Sequence, residues 1–115
     1  AEELVRERKP FDPRNFVYVD FKAEVSNASI FAGARLKSGV ESASDRGNPK
    51  NRVNRSTWIR IAIPMPAGTD TSQIESIFFA CDRPGGCKVT AISQAEVLDA
   101  SYRPVKIAVG YSFRF

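Results

Sequence analysis

The chain's only two cysteines, Cys81 and Cys87, bracket the run Asp82-Arg83-Pro84-Gly85-Gly86, and β-type segments flank them, Ile74 to Ala80 and Lys88 to Ser93. Proline presets φ for a turn and glycine supplies the positive φ that tight turns need, so the run reads as a reverse turn. The pattern predicts a hairpin stapled by a disulfide. A durable disulfide forms in an oxidising compartment, which places the chain in a periplasm, in the extracellular space or on a cell surface. Closing so short a loop is worth about 2 kcal/mol in the chain-entropy account, enough to hold a turn rigid but not to create a fold. Two thiols without a histidine leave a tetrahedral metal short of ligands, and the C-x5-C spacing is not the C-x-x-C of a low-pKa attacking thiol. The competing assignment is a pair of unlinked thiols in a cytosolic protein.

At 115 residues the chain fits one domain with a core of its own. Its 43% hydrophobic and 26% charged residues match ordinary globular usage. No apolar run approaches the roughly 20 residues that span a bilayer. The opening Ala1-Glu2-Glu3-Leu4 lacks the basic-then-apolar pattern of a signal peptide, so an exported chain is expected to have lost its leader.

Period-two alternation organises the rest. Residues 1–14 read as a charged arm that ends in Pro10-Phe11-Asp12-Pro13, and residues 15–115 as a single β domain. Val17, Val19, Phe21, Ala23 and Val25 alternate with Asp20, Lys22 and Glu24 in a first strand. The turn chemistry of Ser26-Asn27-Ala28-Ser29 then predicts a hairpin to a second strand carrying Ile30, Ala32, Ala34 and Leu36, with Gly33 marking a bulge. Ile59, Ile61 and Ile63 oppose Trp58, Arg60 and Ala62 in a third strand, which Pro64 and Pro66 end. Gln94 to Ser101 suits one or two helical turns. A last strand alternates Ile107, Val109, Tyr111, Phe113 and Phe115 with polar or small residues. The expected architecture is all-β, a small antiparallel sandwich of about six strands with at most one short helix, or else a small open barrel.

Residues 37–56 are rich in Ser, Asn, Gly and charge and read as a long exposed loop. The chain's formal charge is +4, and the excess gathers in this loop, where Arg46, Lys50, Arg52 and Arg55 have no acid among residues 46–55. These four side chains are candidate contacts for an acidic or polyanionic ligand, and Trp58 at the loop's end is a candidate core or interface anchor. Residues 37–56 hold no aromatic on which bases would stack, which disfavours nucleic acid.

The terminal Val109-Gly110-Tyr111-Ser112-Phe113-Arg114-Phe115 resembles the closing strand of outer-membrane β-barrels, with its alternating aromatics and terminal Phe. The resemblance covers about ten residues, and about six strands fall short of the eight in the smallest such barrels. The same strand at a sheet edge would suit pairing with another chain.

Catalysis is the weakest reading. With no histidine, Ser-His-Asp, Cys-His and H-E-x-x-H constellations are excluded, and no phosphate-cradling glycine run is present. Glu24, Glu41, Glu75, Glu96 and the aspartates offer carboxylates, but their spacing selects no pair. Asn27-Ala28-Ser29 and Asn54-Arg55-Ser56 match the glycosylation acceptor pattern, which matters only in a eukaryotic secretory route. No cofactor or metal is implied. The expectation is a non-enzymatic exported domain, a binding module or assembly subunit of the cell envelope or surface, that meets another protein or itself through loops or a sheet edge. The alternative is a nucleic-acid-binding β domain using the basic loop.

Overall fold

A computed structural model describes residues 12–43, 58–66 and 68–115. Nine strands are present among them: β1 (Phe16–Val25), β2 (Ile30–Leu36), β3 (Glu41–Ala43), β4 (Ile59–Pro64), β5 (Ile74–Cys81), β6 (Cys87–Ile92), β7 (Glu96–Leu98), β8 (Pro104–Lys106) and β9 (Gly110–Arg114). They form two sheets, one of five strands and one of four. In the first, β1 is central. Phe21 pairs with Ile59 of β4 on one edge and Ile92 of β6 on the other, and Tyr18 pairs with Ala62 and with Glu96 of β7. β6 and β7 therefore follow one another along the same edge of β1, and β8 lies outside β7. The second sheet runs β3-β2-β5-β9.

The alternation that predicts β1 is the alternation that builds the core. Val17, Val19, Phe21 and Ala23 are buried while Asp20, Lys22 and Glu24 face outward, and in β4 Ile61 and Ile63 are buried while Arg60 and Ala62 are exposed. Against them the second sheet sets Ile30, Ala32, Ala34, Ile77 and Phe79. Phe21 and Phe79 meet edge to face between the sheets, their ring centroids 5.2 Å apart. Buried aromatic and aliphatic side chains are worth roughly 1.5–3 kcal/mol each, so this sandwich interior is the main source of stability.

Several expectations need correction. Neither expected hairpin is one: β1 and β2 lie in different sheets, and so do β5 and β6. Residues 26–29 and 82–86 are arches from sheet to sheet. A hairpin and an arch both send the apolar residues of two successive strands toward one core, so alternation alone does not separate them; the pairing of β6 with β1 and of β5 with β2 decides it. The segment expected to be helical holds β7, because Glu96 pairs with Tyr18 and Lys106 while Val97 packs on the core, and the helical propensity of so short a segment does not outweigh that pairing. The long loop contains structure at its start: Gly39, at φ 93°, turns the chain from β2 into β3, and Gly33, Ala34 and Arg35 pair with that strand. The rest of the loop, residues 44–56, lies outside the described residues.

The sandwich is antiparallel except at β5 and β9, which run parallel. After β5 the chain passes through β6, β7 and β8 in the opposite sheet and re-enters beside β5 from the same end, the long crossover that a parallel pair requires. The β2–β5 register shifts between Arg35 and Leu36, where β5 carries an extra residue, Glu75, and not at Gly33. Gly33 lies under the ring of its cross-strand partner Phe78, and a Cβ there would stand 2.6 Å from Phe78 Cε1 and 2.7 Å from the Ser42 carbonyl oxygen. Phe78, Phe31 and Ala80 form a second buried cluster beside the main core.

Gly33→Ala should therefore destabilise the domain by about 1–3 kcal/mol in urea unfolding, because both the ring and the β3 backbone must give way. Gly110→Ala, whose added Cβ would meet nothing nearer than Ser76 Cβ at 4.0 Å, should stay within about 0.5 kcal/mol of the parent. Equal effects from the two substitutions would contradict this account of Gly33.

Candidate interaction surface

The described residues gather their chemistry in four places: the stapled arch, an arginine cluster on the five-stranded sheet, a clasp across the four-stranded sheet, and the free edge of β9.

Cys81 and Cys87 are joined, with S–S 2.07 Å and Cα–Cα 6.0 Å. Because β5 and β6 belong to opposite sheets, the bond ties one sheet to the other at this end. The two arches also hold each other. Ser26 N–H donates to the Gly86 carbonyl at 2.8 Å and Asp82 N–H to the Ser29 carbonyl at 3.1 Å. Ser29 N–H donates to Asp82 Oδ1 at 2.7 Å. Asp82 thus satisfies a donor next to buried Ile30, a position where an unpaired N–H is costly.

Arg60 lies on the outward face of the five-stranded sheet. Its Nε and Nη2 donate to the two carboxylate oxygens of Asp20 at 2.9 and 3.0 Å, and Nη2 stands 2.7 Å from Glu96 Oε1. The hydrogen bonds to Asp20 raise the Arg60 pKa further above its ordinary value; desolvation by burial opposes them, and the hydrogen bond to Glu96 adds a smaller upward pull. Its guanidinium also sits 5.6 Å from the centroid of the Tyr18 ring, and the Tyr18 hydroxyl donates to the Pro13 carbonyl at 2.9 Å. Asp20 and Glu96 are the two carboxylates brought closest by this cluster, and an arginine fills the space between them.

The clasp spans the other sheet. Arg114 of β9 donates through Nη1 to Glu41 Oε1 at 3.0 Å and through Nη2 to Oε2, joining the last strand of that sheet to the first. Beneath it, the guanidinium carbon is 3.8 Å from the Phe78 ring centroid. The hydrogen bonds from Arg114 hold the Glu41 carboxyl below the usual carboxylate range, with Arg35 adding a smaller pull. Glu41 is therefore an ion-pair partner, not a proton donor poised near neutrality.

Among the candidate binding residues, Arg46, Lys50, Arg52 and Arg55 lie outside the described residues. Trp58 precedes β4 and is 50% exposed, with Lys22 Nζ 5.1 Å from its ring centroid. It is a surface aromatic, so of the two expected roles, core or interface anchor, it does not fill the first. Among the described residues no group of three His, Cys, Asp or Glu side chains is placed to hold a metal ion. No described helix is long and apolar enough to cross a membrane.

Among the described residues five strands have a neighbour on one side only, β3, β4, β6, β8 and β9, and they differ in a way the sequence did not reveal. β6 has six residues, no proline and one charge, Lys88, and it exposes no large apolar side chain. β4 carries Arg60 and ends in Pro64, whose carbonyl accepts a hydrogen bond from Ser42 Oγ of β3. β3 has three residues and includes Glu41; β8 has three and includes Pro104 and Lys106. Short length, proline and charge all discourage pairing with foreign strands. β9 has five residues, no proline and one charge, which Glu41 neutralises. Its aromatics continue a chain of rings outward from the core: Phe79 to Phe113 at 5.8 Å, then Phe113 to Phe115 at 5.6 Å. Phe113 is 51% exposed and Phe115 43%. Beside the start of β9 an open groove of about 630 Å³ is lined by Ile92, Gln94, Ile107, Val109 and Tyr111. The Tyr111 hydroxyl accepts from Ala95 N–H at 2.9 Å across the gap between the sheets. Alternation identifies Phe113 and Phe115 as a pair on one face, but their exposure follows from β9 being an outer strand, which only the pairing order shows.

Comparison of the chain with protein-family models, curated proteins and solved structures returns no match.

Reducing the disulfide should lower the unfolding free energy by about 2 kcal/mol, read as a shift of the urea midpoint with reductant present; an unmoved midpoint would contradict its role as a link between the sheets. A second expectation concerns acid. Because the folded pKa of Glu41 is depressed, its contribution is present above the ordinary glutamate range and is lost as pH falls through the lowered value. Glu41→Gln should therefore be less stable than the parent at neutral pH, with the gap closing in acid. A gap independent of pH would rule out the clasp as its cause.

Proposed function

We propose that this chain is a non-enzymatic domain of the cell envelope or surface, a binding module or assembly subunit, that meets another polypeptide through a sheet edge. The observation that carries the reading is the outer strand β9, which lacks the guards present on β3, β4 and β8 and, unlike β6, which also has a free side, exposes Phe113 and Phe115 beside it. Unpaired N–H and C=O groups along such an edge give affinity when another strand adds to it, and flanking side chains give selectivity. The compartment follows from the disulfide, since Cys81 and Cys87 would be held reduced in most cytosols. The absence of histidine from the sequence leaves the familiar nucleophile and metal-hydrolase constellations without a member, in keeping with a role in binding.

A comparison of amide exchange tests the reading. Cells are quenched with a thiol-alkylating reagent before the chain is isolated, and exchange at β9 is measured in dilute purified protein and in the native envelope fraction. The account expects no alkyl adducts on Cys81 or Cys87 and slower exchange at β9 in the native fraction. Two adducts per chain would remove the compartment, and identical exchange in both samples would remove the edge contact.

A further inference from the structure

Building on the reading of β9 as the contact edge, we propose that two chains pair β9 to β9, antiparallel, about a two-fold axis through Ser112, so that two four-stranded sheets become one continuous sheet. Two-fold contacts demand a self-complementary surface, in which residue i meets j and j meets i. The strand Gly110-Tyr111-Ser112-Phe113-Arg114 meets that demand about its middle residue. Ser112 opposes Ser112 of the second copy, Tyr111 opposes Phe113, and Gly110 opposes Arg114.

Each pair is sterically and electrostatically matched. Tyr111 and Phe113 share a face with Ile77 and Phe79, their register partners on β5, so the two aromatic pairs cover each other on the side where Phe113 is now half exposed. On the opposite face, Gly110 lies next to Ser76, and the nearest heavy atom to a Cβ built there is 4.0 Å away. Gly110 therefore sets no side chain against Arg114 of the second copy, whose guanidinium stays over its own Phe78. The pairing sets no like charges against each other, because Arg114 is the only charge on the strand and is held by Glu41 of its own chain. Centring the axis on Phe113 instead would leave Gly110 with no opposite residue within β9 and oppose Ser112 to Arg114, losing both the central small pair and the glycine–arginine pair. Five paired residues make a small contact, so the dimer is reversible and concentration-dependent.

Sedimentation equilibrium of the full chain across a concentration series tests the proposal with two variants at the axis. Ser112 is exposed, so Ser112→Lys and Ser112→Glu should leave the thermal unfolding curve unchanged while placing like charges face to face in the dimer. The parent should dimerise with increasing concentration. Each variant alone should raise the dimer dissociation constant roughly fivefold, and an equimolar mixture of the two should recover parental affinity or better. A parent that is monomeric at every concentration, variants that dimerise like the parent, or a mixture no tighter than either variant alone would each overturn the proposal. If the parent is monomeric but β9 is still protected in the native envelope fraction, the edge contact stands and only the second copy is excluded as its partner.

Discussion

Two chain crossings at one end of the sandwich hold each other, and the relation between the sheets depends on them. Ser26–Ser29 carries the chain from β1 to β2, and Asp82–Gly86 carries it back from β5 to β6. Their backbones exchange hydrogen bonds, Asp82 adds a side-chain bond, and the Cys81–Cys87 bond closes the second crossing. Gly86 is part of the same contact, since a Cβ at that position would come within 2.7 Å of Ala28 Cβ. With this end fixed, β1 aligns with β6 in one sheet and β2 with β5 in the other, and Phe21 is brought against Phe79 between them.

Apolar content and alternation carry information about faces, and those features were legible in the sequence. The buried rows of β1 and β4 follow directly from Val17, Val19, Phe21 and Ala23 and from Ile61 and Ile63. Strand partners were not legible, because a strand's pattern is the same whether it pairs with its neighbour in the chain or faces it across a core. The cysteines could be read as linked, but not as linking two sheets. The same limit hid the arginine chemistry: Asp20 and Arg60 are both outward-facing by alternation, yet they meet only because β1 and β4 pair in a register that sets them opposite. β7 escaped because three residues carry too little periodicity, and its strand conformation is imposed by Tyr18 and Lys106 on either side.

The two outward faces manage charge differently. On the five-stranded sheet Arg60 satisfies two carboxylates from neighbouring strands and covers Tyr18. On the four-stranded sheet a single ion pair reaches from edge to edge over an aromatic ring, with Gly33 providing the room for that ring. Exposed ion pairs of this kind add little stability, about 0–1 kcal/mol each, so their larger effect is on what the edges present. By drawing Arg114 inward over Phe78, Glu41 leaves β9 without the charge that would repel another strand. β9, an edge without the guards of β3, β4 and β8, is thus also the edge where the core's chain of aromatic rings reaches the surface.

The crossing of the chain between sheets is open to direct measurement by nuclear Overhauser spectroscopy of the disulfide-bonded protein. The account predicts short backbone contacts between Ala23 and Val89 and between Phe31 and Ala80, the cross-strand pairs on either side of the stapled arch. A ladder of contacts running between β5 and β6 themselves, as in a hairpin closed by residues 82–86, would contradict it.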